Sequence, residues 1–118
     1  MKKKVVGLTE NITIFGGDKK GRKIIARIDS GATKSSVDVK LAAELKLGPI
    51  IKTKLVKSTH GNTLRPVVKG KIKIAGKTIT SELTIADRTY MKYRILIGQN
   101  ILKDANLIID PHKGVKTK

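Results

Sequence analysis

The feature that most constrains the fold is a run of alternating apolar and lysine residues, VVKGKIKI, within Leu64–Ile74. Every second side chain of a β-strand points to the same face, so this period favours a strand with one buried and one lysine-coated face. The turn Ala75–Lys77 follows, and Thr78–Ala86 returns with a second strand pattern. Together with Ile50–Lys57 before them, these segments predict a three-stranded β-meander.

Short β-branched or aliphatic runs recur along the rest of the chain and predict about seven strands in all. One stretch differs: in Asp38–Leu47, Leu41 and Leu45 fall on one face of a helix that Gly48 would end. One or two helical turns are also expected at Gln99–Asp104. The 118 residues suit a single domain over 1–118, of the all-β class with one or two short helices. The remaining strand segments are Val5–Leu8, Ile12–Phe15, Lys23–Ile28, Tyr93–Gly98 and Leu107–Ile109.

The segment Ile28-Asp29-Ser30-Gly31-Ala32 places a carboxylate where an apolar strand runs into a tight turn. Gly31 tolerates backbone geometry that a side chain would obstruct, so the chain can turn sharply just after Asp29. Taken alone, such a tripeptide is more often an Asx-turn in which the aspartate only caps a loop. A second element favours chemistry, because far downstream the aliphatic run Ile95–Ile97 closes on Gly98.

This ordered pair of motifs resembles the signature of retropepsin-like aspartic proteases. In that family the aliphatic strand passes beside the catalytic loop, and a hairpin between the two motifs forms a flap. The resemblance implies a closed acid-protease β-barrel in which the polar turn Ser58–Thr63 is the flap tip. It implies catalytic roles for Asp29, Ser30 and Gly31, and contacts to substrate from Ala32, Ser58, His60, Gly61, Arg65 and Ile97.

Nearly the whole chain further resembles a small prokaryotic group labelled ATP-dependent zinc proteases, often paired with an ATP-grasp glutamate ligase. The label does not fit these residues. Only His60 and His112 are present, without the H-E-x-x-H spacing of zinc hydrolases, and no G-x-x-x-x-G-K-[ST] phosphate loop occurs. We therefore expect no metal, no ATP and no other cofactor. The matching segments are Asp29–Ala32, Lys57–Gly61, Arg65–Val67, Met91–Gly98 and Ile109–Pro111, and the likeness is weakest between Thr33 and Lys54.

Aspartic proteolysis needs two facing carboxylates that share one proton, because two negative charges about 3 Å apart cannot both persist. The ionised carboxylate takes a proton from the attacking water, and the protonated one polarises the peptide carbonyl. Asp29 is the only aspartate followed by Ser/Thr-Gly. We therefore expect a homodimer whose two-fold axis brings Asp29 beside its own copy. For an interface strand, Lys4–Leu8 is a better candidate than the basic tail Lys113–Lys118.

The charge balance of 26 basic to 9 acidic residues gives a formal net charge of +17, which attracts polyanions. A non-catalytic β-barrel that binds nucleic acid is therefore one alternative, although 3% aromatic residues offer few stacking platforms. A second alternative is an inactive dimer that retains the fold, and a simpler interpretation of the lysines is a solvated surface. If the protein is catalytic, the charge predicts acidic or glutamate-rich peptide substrates for a dimer of formal charge +34 (2 × 17). Lys34, Lys57 and Arg65 lie in or beside the motif segments.

The N-terminal segment MKKKVVGLTENITIF begins like a signal peptide, but Thr9, Glu10 and Asn11 interrupt its apolar run. No stretch of the sequence approaches the ~20 apolar residues of a membrane span. The chain has no cysteine, which excludes disulfides, thiolate metal sites and cysteine nucleophiles. The sequence thus predicts a cytoplasmic protein without membrane association that acts on a peptide or protein substrate.

Overall fold

The computed structural model describes residues 2–59 and 61–113, without the side chain of Ser58. Strands dominate this part of the chain, and two short helices interrupt them. The elements are β1 (Lys4–Val6), β2 (Thr9–Phe15), β3 (Gly21–Ile28), β4 (Ser35–Asp38), α1 (Val39–Glu44), β5 (Lys52–Ser58), β6 (Gly61–Ile74), β7 (Lys77–Ala86), β8 (Ile95–Ile97), α2 (Gln99–Asp104) and β9 (Leu107–Ile109).

Six strands form a closed barrel in the order β2-β3-β8-β4-β7-β6, and β6 returns to pair with β2. The closing register runs antiparallel from Thr13 opposite Lys73 to Phe15 opposite Lys71. Strand β5 pairs only with the first part of β6 and so extends the sheet beyond the closed ring. The predicted all-β closed barrel with short helices is confirmed, as is the antiparallel meander β5-β6-β7.

The long strand β6 shows how the sequence pattern builds the core. Val68, Ile72 and Ile74 are buried and alternate with exposed lysines, as the sequence predicts. Burying each aliphatic side chain contributes about 1.5–3 kcal/mol. Gly70 lies on the same buried face. The space above it is filled by Leu83, since a Cβ at position 70 would lie 2.6 Å from that side chain.

One segment differs from the sequence prediction. The helix expected at Asp38–Leu47 covers only Val39–Glu44. It begins after Asp38 because the carboxylate of Asp38 accepts hydrogen bonds from the first turn and thereby caps it. The preceding residues Ser35–Asp38 form β4, which is buried along its whole length. This strand is held between β7 and β8, parallel to the first and antiparallel to the second. Its polar sequence carries no alternation from which a strand could be predicted.

The two ends of the described chain meet in a separate sheet. Strands β1 and β9 pair in parallel, from Lys4 opposite Leu107 to Val6 opposite Ile109. The predicted interface strand Lys4–Leu8 therefore has a partner within its own chain along β1. Of the basic tail Lys113–Lys118, only the first residue lies within the described range. Neither α1 nor α2, at 6 residues each, is long enough to cross a membrane.

Candidate active site

Asp29 lies directly after β3, at the point where the chain turns out of the barrel. Its backbone N–H donates to the carbonyl oxygen of Ile97 in β8 at 2.9 Å. Its carboxylate atom Oδ1 accepts a hydrogen bond from the N–H of Gly31 at 2.9 Å. Its carbonyl oxygen accepts from Ala32 at 3.3 Å. The predicted loop is thus a tight turn in which the Asp29 side chain is half-buried while Ser30 and Gly31 are exposed.

The start of α2 holds this loop from the other side. The backbone N–H of Gln99 donates to the carbonyl oxygen of Ala32 at 2.8 Å, and its side-chain Nε2 donates to that of Ser30 at 2.8 Å. One residue therefore fixes the chain on both sides of Gly31. Nothing in the sequence singles out Gln99, because a glutamine after a glycine forms no distinctive pattern.

Gly98 must be a glycine for the loop and β8 to approach each other. A Cβ at this position would lie 2.6 Å from the carbonyl oxygen of Lys34 and 2.8 Å from that of Ala32. The N–H of Gly98 donates to the hydroxyl of Ser35 at 2.8 Å, and that hydroxyl donates to Oδ1 of Asn100 at 2.8 Å. Ser35 is completely buried, so this chain of hydrogen bonds supports β8 and the Asp29 loop next to it.

The flap hairpin consists of β5 and the facing part of β6. Strand β5 ends at Ser58 and β6 begins at Gly61, so the strand pairing extends further than the predicted polar turn Ser58–Thr63 implies. Gly61 has a φ of 113°, a backbone conformation that favours glycine. His60 and the side chain of Ser58, two of the predicted substrate contacts, lie outside the described part of the structure.

A cleft of about 450 Å³ is lined by residues of both the flap hairpin and the Asp29 loop. Gly31 and Ala32 come from the loop, and the half-buried Arg65 comes from β6. The structure thus brings these three predicted residues together. Ile97 does not join them with its side chain, which is completely buried, and what it offers the loop is its carbonyl oxygen. The cleft is lined instead by its neighbour Leu96.

The cleft is strongly basic, with five positively charged lining residues and no acidic one. Lys34 is partly neutralised, because its Nζ lies 3.5 Å from a carboxylate oxygen of Glu82. Glu82 is shared with Lys52 at 3.0 Å, and the hydrogen bond from Lys52 is the largest influence that lowers the pKa of Glu82. The cleft therefore retains an excess of positive charge. Its cationic residues are Lys34, Lys54, Lys57, Arg65 and Arg88.

Asp38 holds one of the residues that line the cleft, Arg88. Its carboxylate accepts hydrogen bonds from the N–H groups of Arg88 at 2.8 Å, Lys40 at 3.2 Å and Leu41 at 3.3 Å. The guanidinium of Arg94 lies 3.5 Å away. Burial alone raises the pKa of Asp38, but these N–H groups, Arg88 foremost, and the charge of Arg94 together lower it below the ordinary value. A buried, ionised carboxylate thus fixes the backbone of Arg88.

One carboxylate oxygen of the Asp29 loop is left without a partner. Oδ2 of Asp29 accepts no hydrogen bond from residues 2–59 or 61–113, so it is available to a water or another ligand. Gly31 and Ala32 bring this loop to the cleft, and no carboxylate belongs to the cleft lining itself. Within the same described ranges, no three His, Asp or Glu side chains are grouped closely enough to hold a metal ion. The Asp29 loop of one chain thus offers a single carboxylate, whereas aspartic proteolysis uses two.

Comparison with known proteins places the chain in a family. Residues 39–117 match the model of a family described as RimB-like, "Retropepsin-like aspartic endopeptidase RimB". The matched range begins after the Asp29 loop. The chain is also 36% identical over 64 residues to a protein of Desulfotalea psychrophila named "Probable alpha-L-glutamate ligase". That alignment covers 53% of this chain but only 14% of the relative, so the chain spans a small part of the longer protein.

Three solved structures share the fold. The Legionella pneumophila protein Lpg0085, of unknown function, has a TM-score of 0.69 at 22% identity, covering 97% of this chain and 98% of that one. The EIAV protease, solved with the inhibitor HBY-793, has a TM-score of 0.67 at 21% identity, covering 86% and 90%. The simian foamy virus (mac) protease has a TM-score of 0.56 at 27% identity, covering 76% and 86%. The predicted retropepsin-like barrel is thereby confirmed.

Proposed function

Because the chain belongs to the RimB-like family of retropepsin-like aspartic endopeptidases, we propose that it is an aspartic endopeptidase that works as a homodimer. The observation that carries the proposal is the state of Asp29. Its loop is fixed by Ile97 and Gln99 and contributes Gly31 and Ala32 to the cleft lining, yet its Oδ2 accepts no hydrogen bond from the described residues. A carboxylate held this firmly but left available is suited to general acid–base chemistry.

The reaction follows from two such loops facing each other across a two-fold axis. One Asp29 is ionised and removes a proton from water as the water oxygen attacks the peptide carbonyl carbon. The partner's Asp29 is protonated and donates a hydrogen bond to the carbonyl oxygen, which gains negative charge. The tetrahedral intermediate then breaks its C–N bond, and the amine leaves with a proton returned from the pair. The Gly31 N–H bond to Oδ1 keeps each carboxylate oriented throughout, and Ser30 is exposed where it can hydrogen-bond across the interface.

The substrates we propose are acidic or glutamate-rich peptides. Five cations and no acidic residue line the cleft, so an anionic peptide is attracted into it and a cationic one is repelled. The likeness of part of the chain to a glutamate ligase agrees with a glutamate-containing substrate. Attraction of this kind raises the association rate and weakens with salt, since the screening length is about 10 Å at 0.1 M.

The test is incubation of the wild type and of Asp29→Asn with a mixed peptide library that includes acidic sequences, followed by mass spectrometry. The substituted side chain retains an oxygen that can accept the Gly31 N–H bond but cannot exchange the catalytic proton. We expect cleavage by the wild type only, and sedimentation of both proteins as dimers. Cleavage that persists in Asp29→Asn, or a strictly monomeric active enzyme, would refute the proposal.

A nucleic-acid-binding barrel remains the second candidate because of one surface. Lys69, Lys71 and Lys73 are exposed in a row along the outer face of β6, and none of them lines the cleft at the Asp29 loop. Such a row suits the phosphate backbone of a polyanion. If this surface provides the function, replacing the three lysines by glutamine abolishes nucleic-acid binding, whereas Asp29→Asn leaves binding unchanged and no peptide is cleaved by either protein.

A further inference from the structure

Arg88 has a position that its sequence does not reveal. Its backbone N–H is held by Oδ1 of the buried Asp38 at 2.8 Å. Its side-chain Nε donates to the carbonyl oxygen of Tyr93 at 2.9 Å. Backbone and side chain are thus fixed separately, and Arg88 lines the same cleft as Gly31.

The two terminal nitrogens of Arg88 have no partner among residues 2–59 and 61–113. No ion pair joins its guanidinium to Asp38, whose carboxylate already receives three N–H groups and Arg94. No fully buried side-chain polar atom in those ranges lacks a hydrogen bond, so the terminal nitrogens of Arg88 reach the solvent of the cleft. A half-buried guanidinium that is already partly desolvated gains more from an anion than a fully exposed one does.

The charges around Arg88 also favour binding of an anion. Partial burial lowers the pKa of Arg88, and the charges of Arg27 and Arg65 lower it further, whereas Asp38 and Asp29 raise it. Arg65 faces the same cleft from the flap hairpin and has no ion pair within the described chain. Two arginines from different parts of the chain therefore line one cleft, and no acidic residue belongs to its lining.

We propose that Arg88 and Arg65 together bind one carboxylate of the substrate, carried on a side chain next to the scissile bond. Arginine presents a planar fork that matches a carboxylate, which lysine does not. Since the backbone of Arg88 is fixed by Asp38 and Arg65 belongs to the flap hairpin, a carboxylate bound by both connects the hairpin to the barrel. This inference rests on the proposed peptidase function and assigns the residues that read the substrate.

The first experiment measures binding without turnover. In the Asp29→Asn background, the affinity for a glutamate-rich peptide and for its glutamine-matched counterpart is measured by isothermal titration calorimetry, with and without Arg88→Gln. We expect Arg88→Gln to weaken the glutamate peptide about 10- to 100-fold. Lys73→Gln, which removes the same charge from the outer face of β6, should weaken it less than about threefold through the general field. Equal effects of the two substitutions would overturn the inference.

The second experiment measures kcat/KM in the active protein with the same two peptides. Arg88→Gln should lose about 10- to 100-fold on the glutamate peptide and little on the glutamine peptide, and Arg88→Lys should fall between, because charge remains but the fork is lost. Equal losses on both peptides would show that Arg88 supports the loop rather than the substrate. The binding experiment is independent of catalysis: selective binding without cleavage would refute the peptidase and retain the anion site. Cleavage with no selectivity for glutamate would retain the peptidase and refute the anion site.

Discussion

Removal of the Asp38 carboxylate tests whether its hydrogen bonds and its ion pair with Arg94 stabilise the fold. Asp38→Ala leaves three backbone N–H groups without their acceptor and Arg94 without its buried partner. Loss of a helix N-cap costs about 0.5–2 kcal/mol, and loss of one member of a buried ion pair costs about 3–5 kcal/mol. The side chain of Arg94 is 33% exposed and can turn to solvent or to Glu44, so the second figure is an upper limit here. We expect Asp38→Ala to lower the free energy of unfolding by about 3 kcal/mol.

The same carboxylate gives the effect a pH dependence. The pKa of Asp38 is lower in the folded protein than its ordinary value of 3.8. Its ionised form therefore stabilises the fold fully above that value, and the stabilisation is lost as the pH falls through 3.8 towards the folded pKa. Asp38→Asn cannot ionise, so the stability gap between it and the wild type should narrow from about pH 7 to about pH 3.

Urea unfolding followed by circular dichroism, at one fixed protein concentration, measures both effects. Asp18→Asn is the matched control, because Asp18 is exposed in a turn and, within residues 2–59 and 61–113, accepts a hydrogen bond from the N–H of Lys20 alone. Its effect should stay within about 0.5 kcal/mol. The reasoning fails if Asp38→Ala is no more destabilising than the Asp18 control, or if the gap for Asp38→Asn is the same at both ends of the pH range.

Three further predictions concern the loop and the cleft. Gly98→Ala should cost about 3 kcal/mol in thermal unfolding, since its Cβ meets the carbonyl oxygen of Lys34 at 2.6 Å. Unchanged stability would show that the loop can move aside. Gln99→Leu removes the donor to Ser30 and should lower kcat about tenfold at an unaltered KM, because the carboxylate is less well oriented; a change in KM alone would contradict this. The preference for glutamate-rich over neutral peptides should shrink across a salt series, and a constant ratio would show that the lysines are only solvated surface.

The parts of the fold that could be predicted from sequence are those whose cause is local. Strand β6 is recognisable because one face meets the core and the other meets water, and the Asp29 motif is recognisable because a carboxylate, a small residue and a glycine follow each other directly. Strand β4 could not be predicted in this way. Ser35 is polar yet completely buried, and it is satisfied by Asn100, which is 65 residues away in the sequence.

The same distinction applies to the candidate site. The Asp29 loop and Arg65 can be singled out from motifs, since the spacing of those residues is distinctive. Arg88 cannot, because it is one of 26 basic residues and nothing in the neighbouring sequence sets it apart. Its fixed position in the cleft lining depends on Asp38, which is 50 residues earlier in the chain and holds its backbone. Gln99 was missed for the same reason, because its role depends on a carbonyl group 69 residues away.

Because β8 lies between β3 and β4 in the sheet, the Asp29 loop can be completed only late in the synthesis of the chain. Strands β3 and β4 flank the Asp29 loop and are synthesised before β8. They do not pair with each other, because β8 lies between them in the sheet. The carbonyl that holds the Asp29 N–H belongs to Ile97, and the side chain that holds Ser30 belongs to Gln99. While these residues are still inside the ribosome, the aspartate sits on an unsupported loop. The Asp29 loop therefore acquires its supporting hydrogen bonds only after β8 and the start of α2 have emerged, long after the aspartate itself was made.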